Sequence, residues 1–276
     1  HTSFKGCVES GLCKKLVVGL GGPGGAGQFH SLGQVELPRL LVEVTKVILG
    51  KMPVLGGVAI VENAYEETAR IKAIPAEALI EEEIRLLAWS KSLMPALPTD
   101  RLHGLIVEEM GKNFSEPEST PISSDGCALR ANRKWKSPRI RYVSVLDLSE
   151  ASHGNATGVG LVDFVTRRLV DKIDRKATYL NNLTTTFVTR AFTPLWFDTD
   201  RETLETMMFC LRSVPLTETR LILIPNTLYL ADCYVSEAIL PELADTGRFE
   251  VLGPLRELAF DAQGNLTSRI GLPRTS

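Results

Sequence analysis

Apolar positions along the chain switch between two periods. Over residues 37–50, Leu37, Leu40, Leu41, Val44 and Ile48 recur three and four apart, the stripe of an amphipathic helix. Pro38 suits its first turn and Gly50 its stop. "KLVVGL" (15–20), "VLGGVAIVENA" (54–64) and "IKAI" (71–74) are short apolar runs of strand character. From Pro75 to Met94 the spacing is helical again, with acids at 81–83 early and Lys91 late, as the helix dipole favours.

"PALPTD" (95–100) interrupts this pattern with two prolines and marks a domain boundary. Beyond it the alternation resumes. Strands are expected over 102–111, 139–149, 193–197, 220–225 and 249–253. Helices are expected over 161–173, over "ETLETMMFCLR" after a capping-box spacing of Thr199 and Glu202, and through "VSEAIL". "FDAQGNLTS" (260–268) reads as a closing hairpin or turn, and 115–138, rich in Ser, Pro and charge, as a long surface loop. Strands alternating with helices predict an α/β protein: two domains, 1–99 and 100–276, of mainly parallel sheets flanked by helices.

Composition narrows the function classes. Hydrophobic residues make up 44% and charged residues 23%, the balance of a globular chain. A net charge of −2 gives no electrostatic case for nucleic acid or an anionic membrane. No apolar run approaches the roughly 20 residues of a spanning helix. Five scattered cysteines without a CxxC pair imply neither a disulfide framework nor a cysteine zinc site, so a reducing cytoplasm is the expected setting. The Asn-x-Ser/Thr triplets at Asn113, Asn155, Asn182 and Asn265 read as chance matches. The chain starts at His1 rather than methionine, which reads as a processed chain or a piece of a longer one.

Glycine concentrates at "VVGLGGPGGAGQFH" (17–30), where Gly19, Gly21 and Gly24 satisfy G-x-G-x-x-G after an expected strand. That pattern would face a dinucleotide pyrophosphate with a helix N-terminus, and it calls for an acid about 20 residues on, at the end of the next strand. Glu36 and Glu43 fall in the helical stretch, and the next strand's acid is Glu62. A flexible turn between strand and helix is the competing reading. Of four histidines, His103 opens a strand as a surface or edge residue. His153 lies in "SHGNATGVG" (152–160), between a strand and a helix. Ligands of open α/β sheets bind at such turns; a polar turn supported by Asn155 explains the residues equally well.

The stretch "HTSFKGCVESGLCKKLVVGLG" with His30 resembles the nickel-dependent lactate racemases and the wider group of 2-hydroxyacid racemases and epimerases. The likeness continues through "GGVAIVENAYEETARI", "KSLMP", "LIVEEMGKNFS", "LDLSEASHGNATGVGLVDFVTRRLVDKID" and "ATYLNNLTTTF", covering most of the chain. It implies a nickel-pincer nucleotide, a pyridinium ring with thioamide and thiocarboxylate arms. Lys14 matches the lysine that tethers it, His30 the imidazole that ligates nickel, and His1 one of two general bases. Gly21 and Gly24 would let the backbone pass close to the cofactor, with His153 and Asn155 lining a cleft between the two domains. Imidazole suits nickel in a planar ligand field, and histidine titrates in the range a base needs.

The chain also departs from that family. Relatives continue for a full sheet domain before the position of His1, carry lysine where Gly22 stands, and have a Gly-Met-Asp-Pro type motif where this chain reads "EPESTPISSDGCALR". Lys112 and Arg130 are the candidate carboxylate contacts for a small 2-hydroxy acid, since a guanidinium grips carboxylate with two donors. The resemblance also implies partner proteins that make the cofactor. A homo-oligomer is among the partners considered. Two alternatives remain: a non-catalytic family member that binds a small ligand, and an NAD-type dinucleotide-dependent oxidoreductase using Gly19, Gly21 and Gly24.

Overall fold

The computed structural model describes residues 6–31, 36–63, 67–93, 96–114, 139–184, 187–244 and 249–270; the side chains of Pro23, His30 and Ala244 lie outside that description, as do His1, Arg130 and the 115–138 loop. The chain divides into two compact units, His1–Pro95 with Asn182–Phe187, and Ala96–Asn181 with Val188–Ser276.

In the first unit a helical segment begins at Leu12–Lys14, passes through a π-helical turn at Lys15–Gly19 and continues as helix α1 (Gly22–Ser31). Helix α2 (Leu37–Lys51) follows, with Pro38 in its first turn and Leu37, Leu41 and Thr45 buried. Strands β1 (Gly56–Glu62) and β2 (Thr68–Pro75) pair antiparallel, and helix α3 (Leu79–Ser92) closes the unit. Val8, Cys13, Phe29, Leu37, Leu41, Val61, Ile74, Leu79 and Leu86 form its core. Two expectations fail here. Residues 15–20 are helical, not a strand: Leu16, Val17 and Val18 pack one half-buried side against that core, and a short apolar run does not distinguish the two states by itself. The sheet is an antiparallel hairpin, because the few residues between β1 and β2 are too short for a parallel crossover.

The second unit holds a six-stranded sheet in the order β6-β5-β4-β3-β7-β8. Its strands are β3 (Arg101–Val107), β4 (Arg139–Val145), β5 (Phe164–Thr166), β6 (Leu195–Phe197), β7 (Leu221–Ile224) and β8 (Tyr234–Val235). All neighbours run parallel except β7 and β8. Alternate side chains divide into two cores, as period-2 geometry requires. Leu105, Val107, Val143, Val145, Ile222 and Ile224 meet Val159, Leu169 and Ile239 on one face. Ile106, Leu146, Phe164 and Leu223 meet Leu204, Met207 and Leu211 on the other. Leu169 belongs to helix α4 (Arg167–Asp171), and Leu204 and Met207 to α6 (Asp200–Cys210); α5 (Arg175–Thr184) and the short α7 (Leu240–Ala244) complete the helices. The α/β architecture with helices flanking a mainly parallel sheet is as expected.

The Thr199 cap is present, with the Glu202 carboxylate on the N–H one residue before the position a full capping box uses. Thr199 Oγ1 accepts from Glu202 N–H at 3.1 Å, and the Glu202 carboxylate reaches back to Asp198 N–H at 3.0 Å. Phe260 and Leu266 form the expected closing turn. The helix expected over 161–173 starts only at Arg167, because residues 164–166 are fully buried and pair with β4, and Thr166 caps the helix by accepting from Leu169 N–H. Residues 249–253 form no strand; Val251 and Leu252 stand exposed. "VSEAIL" splits into the end of β8, a 3-10 turn and the start of α7.

Gly104, in the centre of β3, has no room for a side chain. A Cβ there would lie 2.7 Å from Leu221 and 2.9 Å from the Met207 sulfur. Gly104→Ala is therefore expected to lower unfolding free energy by about 1–3 kcal/mol in denaturant titration, and by less in a Met207→Ala background, where the sulfur is gone.

Candidate functional site

Lys14 stands on a helical turn that has no local cap. The residue before it, Gly11, has φ 105° and no side chain to offer. Instead Glu83, in α3, accepts the Cys13 N–H at 2.7 Å with Oε2. Burial pushes the Glu83 carboxyl up, and its hydrogen bonds to Cys13 and Leu12 oppose this. The Cys13 thiol is pushed up to about 12, first by burial and then by the Glu83 charge, so it is unreactive at neutral pH. Glu9, wholly buried, accepts from Gly6 N–H at 3.0 Å and from Lys91 Nζ at 2.8 Å. After Lys14 the backbone widens into the π-turn, with Leu20 N–H bonded to Lys15 C=O. π-turns inside helices recur at functional sites.

The glycine stretch is a broken helix rather than a loop. At Gly21 a Cβ would lie 3.1 Å from Val17 C=O, and Gly22 takes φ 63°, where the two helical pieces meet. Gly24 then falls inside α1, with open space beside it. The dinucleotide pattern consequently lacks the strand it has to follow. His30 occupies the last turn of α1, on the far side of the Gly22 break from the piece that carries Lys14.

In the second unit, polar residues gather at the carboxyl ends of the parallel strands. Asp147, just past β4, pairs with Arg168 at 3.0 Å and Lys172 at 2.9 Å. Arg168 also reaches the buried Asp200 at 2.8 Å. Lys172 adds Glu150 at 2.9 Å and the Leu148 carbonyl at 3.1 Å. Burial, then the Asp147 charge, raise the Glu109 carboxyl, while Lys172 and Arg269 pull it down. Neither Asp147 nor the Arg168–Lys172 pair stands out from the sequence; their one signal is spacing of four on a helix that follows a strand.

His153 lies in this region and is exposed, at φ 49° in the left-handed region that non-glycine residues seldom adopt. Asn155 Oδ1 accepts from Thr157 N–H at 3.2 Å and Thr157 Oγ1 at 2.7 Å, the turn-forming role. Lys112 is exposed on the turn after β3. That turn is tied to the His153 turn through Ser149 Oγ, which donates to Asn113 Oδ1. His103 is not at an edge: β3 is flanked by β4 and β7, and His103 Nδ1 accepts from Arg220 N–H at 3.0 Å. The structure thus groups Lys14, Gly21, Gly24 and the His30 backbone on one segment of the first unit, and Lys112, His153 and Asn155 on neighbouring turns of the second.

Among the described residues, no three His, Cys, Asp or Glu side chains converge to hold a metal. No described helix is long and apolar enough to cross a membrane. Comparison with protein-family models, curated proteins and solved structures gives no match.

His103 has a pKa held below its ordinary 6.5, by burial first and then by Arg220 and Arg141. Because the folded state favours the neutral ring, its contribution to stability is complete above pH 6.5 and is lost as pH falls through the lowered value. An NMR titration of the ring should give a midpoint below 6.5, and the acid-side loss of stability should shrink in His103→Asn. A midpoint at or above 6.5 contradicts this account.

Proposed function

We propose that the chain is a racemase or epimerase of a small 2-hydroxy acid, acting by hydride transfer through a nickel-pincer nucleotide tethered to Lys14. The observation that carries this reading is Lys14 itself. It lies in the stretch that resembles the racemases, on a turn fixed by a buried carboxylate and opening into a π-turn, with His30 in the helix that follows the Gly22 break.

The donor chemistry fits the group. Lys14 offers an amine for an amide-like link and His30 an imidazole for a metal. On this reading, nickel on His30 would take its remaining donors from the pincer group. When bound, that group supplies the hydride acceptor. Lys14 holds it in place, and the His30 imidazole gives a neutral nitrogen donor. His1 would be the base that accepts the substrate's hydroxyl proton and gives it back. Lys112 and Arg130 are the cations for the substrate carboxylate. Cofactor-making proteins are the expected partners, in a reducing cytoplasm.

One observation supports a second reading, a non-catalytic relative that binds a small ligand. Gly22 at φ 63° is strained for any side chain, so the lysine that relatives carry there would not keep this backbone.

The full chain, produced with the proteins that make the cofactor, should carry a covalent adduct on Lys14 by intact-mass spectrometry, bind nickel and racemise a 2-hydroxy acid. Lys14→Ala should lose the adduct and all turnover. Racemisation by a chain with unmodified Lys14 overturns the proposal, and a folded chain that takes up no metal favours the second reading.

A further inference from the structure

We infer that Glu83 is a positioning residue for Lys14: from helix α3, its carboxylate fixes the backbone turn on which that lysine stands. The functional meaning of this inference rests on the tether reading of Lys14; the geometry does not.

A helix start leaves N–H groups without partners, normally satisfied by the side chain of the residue at the cap. Gly11 has none. Glu83, seventy positions away from Cys13 and nearly fully buried, takes over that role at 2.7 Å. The two residues are matched: a Cβ at Gly11 would lie 3.2 Å from the Glu83 carboxyl carbon, and φ 105° already excludes most side chains. The other end of the same stretch is held from the same helix. Lys91 reaches Glu9, whose carboxylate also binds Gly6 N–H. Glu83 and Lys91 are eight residues apart on α3, about 12 Å along its axis. Helix α3 therefore grips residues 6–13 at two points, and the next residue is Lys14.

Among the described residues, Glu9 Oε2 and Glu83 Oε1 are buried without a hydrogen-bond partner, and burying such carboxylates costs more than a Ser or Asn cap at position 11 would. What the two carboxylates provide is a fixed start and direction for the turn that presents the lysine.

The test uses the full chain and compares wild type with Glu83→Ala, Glu83→Gln, Glu83→Asp and Leu79→Ala. Leu79 is a buried residue of the same helix and core, so its variant matches a loss of stability without touching the cap. Two readouts follow the turn: amide exchange over residues 12–15, and the acylation rate of the Lys14 amine relative to Lys46 and Lys51, read by peptide mass spectrometry. Glu83→Ala should speed exchange there roughly tenfold or more, the factor for losing a hydrogen bond to a charged acceptor, and change Lys14 acylation. Glu83→Gln, which keeps an acceptor oxygen, should restore both, and Leu79→Ala should lower the melting temperature while leaving both near wild type. If Glu83→Ala does not fold, Glu83→Asp, with its acceptor drawn back by one methylene, carries the comparison. The inference is overturned if the Ala or Asp variant behaves as Leu79→Ala does, or if Gln fails to rescue. Adduct analysis separates the two claims. No adduct on wild-type Lys14 removes the tether reading while exchange and acylation still decide the positioning; with an adduct present, Glu83→Ala should reduce the fraction of Lys14 modified.

Discussion

Strand β3 is the constraint on which the second unit depends. It is buried on both faces, and its backbone groups have to be paired because no water reaches them. The partners come from far along the chain: β4 on one side and β7 on the other. Leu105 sits in one core and Ile106 in the other, so both pairings bear on both cores. The order of the strands follows from this. The chain builds outward from β3 to β6, then returns to the other side of β3 with β7. Open α/β sheets bind their ligands outside the carboxyl ends of strands where the winding direction changes. Here the backbone after β3 first bonds to the β7 side, Glu109 N–H to Pro225 C=O, and one residue later to the β4 side, Met110 N–H to Asp147 C=O.

The elements legible in the sequence are those whose pattern is local. The stripe of α2 buries Leu37 and Leu41, and the apolar runs of β3, β4 and β7 become strands because a doubly covered sheet needs side chains apolar on both faces. The Thr199 cap needs only three residues of context. Where the deciding interaction is remote, pattern is insufficient. The 15–20 run is helical where Leu16, Val17 and Val18 pack on a core built from distant residues, just after a turn whose Cys13 N–H bonds a carboxylate seventy positions away. Strand β5 is three residues long, shorter than any period can reveal, and the apolar Phe249, Val251 and Leu252 stand exposed rather than in a strand.

The same distinction applies to the candidate site. Lys14 and His30 come from a resemblance carried by local residues, and Asn155 declares its turn by its neighbours. Glu83 is one acid among three consecutive glutamates, 81–83. Only packing shows that it points inward while Glu81 and Glu82 pair with Arg85 near the surface. Likewise Asp147, Arg168 and Lys172 become a network only when α4 is laid against the end of β4.

Helix α1 is made of unfavourable material. Gly24, Gly25 and Gly27 each have open space where a methyl group would fit, and each weakens a helix by about 1 kcal/mol against alanine. The segment bearing His30 thus lies in a shallow energy well, forgoing roughly 2–3 kcal/mol of intrinsic order. Its local opening should cost less than that of α2 or α3. Any molecule that settles against this bare surface would deepen the well through its own contacts, so that order in α1 reports occupancy.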